Sequence, residues 1–192
     1  MLKKMISIAA SVALAASLAP CSAFAQGDSV LAAASQPAVS TQAAKTVVKT
    51  KGFKLTLPKY WQGKVKRNGT YKLDGTYGAG TLVYLADKRS GRTIAEVHYC
   101  KTSRFKAVTG RGNVVSVGKK RGKNYTVQVY CYDWPWMTLS WWDGASSSEI
   151  ANAKRAVSIL TGGKSKGSPV GKSRKLARSY VKKNVLNKTK VY

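Results

Sequence analysis

Three different spacings of apolar residues run along this chain, and each predicts a different element. Residues 5–19 form an unbroken apolar, Ala-rich run with no charge. From residue 53 the spacing becomes two. Phe53, Leu55 and Leu57 alternate with Lys54 and Thr56, which gives one dry and one wet face, and Pro58 ends the strand. Residues 81–87 and 93–100 are two β-rich runs joined by the turn-like 88–92, KRSGR. Residues 113–118 and 124–132 are a second pair, joined by 119–123, KKRGK. In the last run Tyr125, Val127, Val129 and Cys131 share one face, and Thr126, Gln128, Tyr130 and Tyr132 share the other. Residues 137–142 are read as a further strand.

The spacing then turns helical. Ser146 with Glu149 three residues on is a capping box. Ile150, Ala153, Val157 and Leu160 recur on one face, Lys154 and Arg155 on the other, and Gly162 and Gly163 stop the helix. The predicted fold class is therefore α+β: an antiparallel β-sheet meander with one or two packed helices. Residues 52–163 hold most of the aromatics and suffice for one core.

The flanks read differently. Lys3 and Lys4, the apolar run and the small residues of Ala23-Phe24-Ala25 have the order of a secretory signal over residues 1–25. The run is shorter than the roughly 20 residues a membrane span needs. Pro20 before Cys21 departs from a lipidation motif. Residues 26–51 are rich in Ala, Ser, Thr and Gln without an aromatic, and read as a disordered linker. Residues 164–192 carry ten Lys or Arg and no acid, and read as a basic tail. Leu176, Ala177, Tyr180 and Val181 would be the apolar stripe of a short helix there, with Lys175, Arg178, Lys182 and Lys183 opposite. Lys190, Val191 and Tyr192 follow no apolar stretch, so covalent wall attachment is not expected. The protein is expected outside the cell or at its surface. Export favours oxidised thiols, so Cys100 and Cys131 are expected to form a disulfide.

Residues 52–65, GFKLTLPKYWQGKV, and the helix ending Leu160-Thr161-Gly162-Gly163-Lys164 resemble a group of uncharacterised secreted actinobacterial proteins of coriobacterial type. The resemblance covers roughly residues 52–170. A strand followed by Pro and Trp, then a meander and a late helix, is more loosely similar to the PsbP-like α/β fold. No activity is established for the group, so the resemblance implies a fold and no functional residues.

Composition narrows the chemistry. Beyond residue 25 the chain has one histidine, His98, and seven carboxylates. No nucleophile elbow, no acid–base carboxylate pair and no phosphate-binding loop is present. His98 with two cysteines gives no metal-ligand spacing. The chain thus reads as non-enzymatic, with neither cofactor nor metal called for. Charge is the stronger signal. The chain is +27 overall, and without Lys3 and Lys4 it retains 32 basic against 7 acidic residues. Such a field draws polyanions. Lys119, Lys120, Arg121 and Lys123 at a hairpin tip, and Lys172, Arg174, Lys175, Arg178, Lys182 and Lys183 in the tail, are the candidate binding residues. Trp134 and Trp136, which flank Pro135, are candidates for stacking on a ligand. The partners expected are teichoic acid, glycosaminoglycan or extracellular nucleic acid, or an anionic membrane surface. A membrane-active or antimicrobial protein acting through its amphipathic tail is the alternative function. A hydrolase of wall or host polymers has the least support.

Overall fold

The computed structural model describes residues 46–75, 78–108, 112–140, 143–165 and 170–192. The expected signal, Cys21, residues 26–45 of the expected linker, and Trp141 and Trp142 lie outside the described residues.

The chain builds β1 (Val47–Lys49), β2 (Phe53–Thr56), β3 (Val65–Asp74), β4 (Ala79–Asp87), β5 (Thr93–Lys101), β6 (Val114–Arg121) and β7 (Tyr125–Tyr132). Helices α1 (Trp134–Ser140), α2 (Ser147–Thr161) and α3 (Val170–Val181) follow. A π-helical turn (Lys182–Leu186) and β8 (Lys190–Val191) come last. The class is α+β. Strands β3-β4-β5-β7-β6 form one antiparallel sheet and β1-β2-β8 a smaller one. Among the described residues two α-helices lie within residues 52–163, as expected, and α3 is the short helix read in the C-terminal segment.

The period-two runs become strands because their apolar sets share a face. Val83, Leu85, Ala95, Val97, Tyr99, Val127, Val129 and Cys131 all enter the main core. Trp61, Phe53, Leu55 and Leu57 join them there with Ile159 and Leu160 of α2. The Trp61 indole N–H donates to the Ile159 carbonyl at 2.6 Å, which ties the β2–β3 turn to the helix. The capping box forms as its spacing predicts: Ser146 Oγ accepts from the Glu149 amide, and the Glu149 carboxylate accepts from the Ser146 amide. The Ser146 hydroxyl, which donates to the Glu149 carboxylate at 2.7 Å, and then the Ser146 amide hold that carboxyl below its usual range.

Five expectations are corrected. Residues 164–192 are not an appendage. Ala177, Val181, Val185 and Leu186 are buried in the main core, and β8 pairs with β2. The amphipathic stripe of α3 is real, but it faces the protein. The last residues of the expected linker form β1, whose Val48 is buried against the core. Residues 134–140 are a helix and not the start of a strand. Pro135 sits in its first turn, where its missing N–H costs nothing, and the Asp133 carbonyl accepts from the amides of Trp136 and Met137. The hairpin tip is shorter than expected, since Lys119, Lys120 and Arg121 belong to β6.

The fifth correction concerns the cysteines, both of which are free and buried. Cys131 stands opposite Ala95 and Cys100 opposite Thr126, so they are five positions apart along neighbouring strands. At about 3.4 Å per residue that is roughly 17 Å, against the roughly 7 Å limit between disulfide-linked Cα atoms. Alternation also puts them on opposite faces of the sheet. Cys131 lies on the helix side, where burial pushes its thiol up to about 12.

Candidate anion-binding surface

Six carboxylates fall in the described residues; the fold buries Asp87 and Glu96, gives Asp133 and Glu149 local partners, and leaves Asp74 and Asp143 exposed. Asp87 is fully buried at the β4–β5 turn. It accepts from the Arg155 guanidinium at 3.0 and 3.1 Å and from Ser90 Oγ at 3.1 Å. Glu96 is fully buried and accepts from the Tyr132 hydroxyl at 2.9 Å. Asp133 pairs with Arg174 at 3.1 Å, and Glu149 serves the α2 cap. Lysines and arginines stay outside. The surface is therefore more uniformly positive than the composition alone indicates.

The cations converge at one end of the large sheet, where β3, β5 and β6 finish and β4 and β7 begin. A depression of about 530 Å³ is lined by Lys101, Arg121, Lys123, Thr102, Ser103, Asn124 and Tyr125. A second of about 210 Å³ shares Lys101 and Tyr125 and adds Lys51, Lys72 and Arg104. Together they make one basin. Its lining holds six cations, hydroxyls of Thr102 and Ser103, and no Asp or Glu among the described residues. All six basic side chains are exposed.

The C-terminal segment runs from this basin along β6. A Cβ on Gly122 would overlap the backbone of Val191 and Tyr192, and one on Gly118 would press on Leu186. The amides of Asn124 and Tyr125 donate to Tyr192 O at 3.0 and 2.7 Å. Lys120 donates to the carbonyls of Asn187 and Thr189 at 2.9 and 2.8 Å. Further along, Lys175, Arg178 and Ser179 of α3 and Lys182 of the π-helical turn line a shallow groove of about 340 Å³ against Val117 of β6. The hairpin and the C-terminal segment, apart in sequence, are thus neighbours in one basic band.

The candidate residues sort accordingly. Arg121 and Lys123 line the basin. Lys175, Arg178 and Lys182 line the groove. Lys119, Lys172 and Lys183 are exposed but line neither. Lys120 holds the carbonyls of Asn187 and Thr189, and Arg174 is held by Asp133, so both have structural work. Trp136 is 2% exposed and donates its indole N–H to Ser173 Oγ at 2.8 Å, which removes it as a stacking platform. Trp134 donates to the Thr93 carbonyl at 2.7 Å and is covered by the Arg92 guanidinium at 3.9 Å. Both tryptophans fix α1 to its neighbours.

Lys51, Lys72, Lys101 and Arg104 were not singled out in the sequence. They are scattered over 54 residues and meet only through strand pairing. The one available signal was that Lys101 directly follows a predicted strand. His98, the one imidazole, is fully buried with Nε2 at 2.7 Å from the Ala79 carbonyl. Among the described residues no group of three or more His, Cys, Asp or Glu is placed to hold a metal.

Compared with family models, curated proteins and solved structures, the chain has no match.

Proposed function

We propose that this protein is a non-enzymatic module that binds anionic polymers outside the producing cell or at its envelope. One observation carries the reading: adjoining depressions at the sheet end present six exposed cations and, among the described residues, no Asp or Glu side chain. The band along β6 extends that site to Lys175, Arg178 and Lys182. An extended polyanion laid along it would release counterions at each contact. Export is read from residues 1–25. The membrane-active alternative loses support, because the apolar stripe it needs is packed in the core.

The test is elution from a heparin resin. The variant Lys101→Glu/Arg121→Glu/Lys123→Glu is expected to elute at much lower salt than the parent. A control with equal charge change at the other end of the sheet and on α2, Lys66→Glu/Lys88→Glu/Lys154→Glu, is expected to move little. Equal shifts for the two variants would reduce the basin to a generally basic surface and refute a dedicated site.

A further inference from the structure

A separate pocket of about 780 Å³ opens between the β2–β3 turn and the C-terminal helical segment. Its wall is a pair of tyrosines, Tyr60 and Tyr180. Each ring rests on one of two consecutive glycines that end α2. Gly162 and Gly163 have φ of 64° and 83°, and a Cβ on either would press into a ring, Tyr180 for the first and Tyr60 for the second. The Tyr60 hydroxyl is bonded to Ser158 Oγ at 2.9 Å. The aromatic wall is therefore built before any ligand arrives, which is how small-ligand pockets limit their ordering cost. Burial and then the neighbouring Tyr60 push the Tyr180 phenol above its ordinary value, so it stays a protonated donor. The rim carries Thr56, Asn184, and the exposed ammonium groups of Lys59 and Lys188.

The pocket points away from a nucleobase. The Lys64 ammonium sits 3.6 Å over the Tyr60 ring and donates to the Tyr60 carbonyl at 3.1 Å, while Gly163 backs the ring. With both faces of Tyr60 taken, Tyr180 and Pro58 are the apolar wall left to a ligand, and a base could not be sandwiched between the two tyrosine rings. A sugar ring asks for less: an apolar wall for its C–H groups, hydroxyl and amide partners at its edge, and cations for an acidic substituent. We infer that this pocket seats one ring of an acidic saccharide, a sugar bearing a carboxylate, sulfate or phosphate. The inference rests on the polyanion reading for the ligand's charge and adds its class, a glycan with repeating acidic sugars.

The test is an amide-resolved NMR titration of the purified protein with three probes: a sulfated heparin-derived disaccharide, neutral chitobiose and a thymidine tetranucleotide. The acidic disaccharide is expected to shift the amides of Lys59, Tyr60, Tyr180 and Lys188, and the other two probes are not. Lys59→Glu/Lys188→Glu, both exposed, is expected to weaken the disaccharide by about tenfold or more. Tyr180→Phe, which keeps the ring and its packing, is expected to weaken it severalfold. The basin variant Lys101→Glu/Arg121→Glu/Lys123→Glu is expected to lose heparin retention and keep disaccharide binding, so the two readings fail separately. No shift at these amides, disaccharide binding indifferent to Lys59→Glu/Lys188→Glu, or equal shifts with the tetranucleotide would overturn the inference.

Discussion

Asp87 shows what a buried charge demands. Its carboxylate lies under the surface and is met by Arg155, by the amides of Arg89 and Ser90, and by Ser90 Oγ. Arg155→Met keeps the aliphatic length but leaves the buried carboxylate without its cation. It is expected to cost about 3 kcal/mol in chemical denaturation, as for other broken buried pairs. A loss below about 0.5 kcal/mol would place this pair among ordinary surface pairs. The thiols give a second residue-scale expectation. Cys131 is not labelled by a maleimide in the folded protein, and both Cys100 and Cys131 are labelled after unfolding without reductant. An unfolded protein that takes up no label at either would restore the disulfide. The folded pKa of Cys131, about 12, stands above the ordinary thiol value of 9.0. Its protonated form therefore stabilises the fold fully below about pH 9, and that contribution is lost as pH rises toward about 12. Cys131→Val is expected to flatten the alkaline limb of the stability profile.

At the scale of elements, periodicity was legible wherever one face is dry. β2, β7 and α2 follow their apolar spacing, and both faces of β7 are readable from it; β4 and β5, buried on both faces, are legible instead as β-rich runs. β3 was not legible. It is an edge strand, exposed over Lys66–Lys72 with a register shift at Asn68 and Gly69, so no face asked for alternation. β1 and β8 are short strands, ordered by pairing with β2 and by Val48 in the core, not by their own sequence. The disulfide was misread for a similar reason. The sequence gives the face of each cysteine within its strand, but not the register that sets them apart. The C-terminal segment was read by its charge, which hid the stripe Ala177, Val181, Val185 and Leu186 that docks it. Leu186→Ala is therefore expected to cost about 3 kcal/mol, as for a buried core leucine. An unchanged melting temperature would return the segment to the status of a tail. Trimming residues 164–192 is expected to unfold the domain, so charge substitutions are the cleaner probe of binding.

At the scale of the molecule, fold and charge act together. Sheet pairing gathers Lys51, Lys72, Lys101, Arg104, Arg121 and Lys123 from four stretches of chain, while Asp87, Glu96 and Asp133 are drawn into internal contacts. The sequence shows the excess of charge and half of its placement. The basin stays hidden because it exists only where several strands end together. Trp134 and Trp136 mislead in the opposite sense, since a Trp-Pro-Trp run looks like a platform until Ser173 and Thr93 are seen to take its indole N–H groups.

The central claim is that a defined basic site, and not net charge alone, binds the polymer. The direct measurement is the slope of log K against log salt for heparin binding, taken for the parent and for Lys101→Glu/Arg121→Glu/Lys123→Glu. The slope is expected to fall by roughly the number of contacts removed, about 2–3, with affinity lost in step. An unchanged slope in this variant, or the same fall in Lys66→Glu/Lys88→Glu/Lys154→Glu, would contradict it.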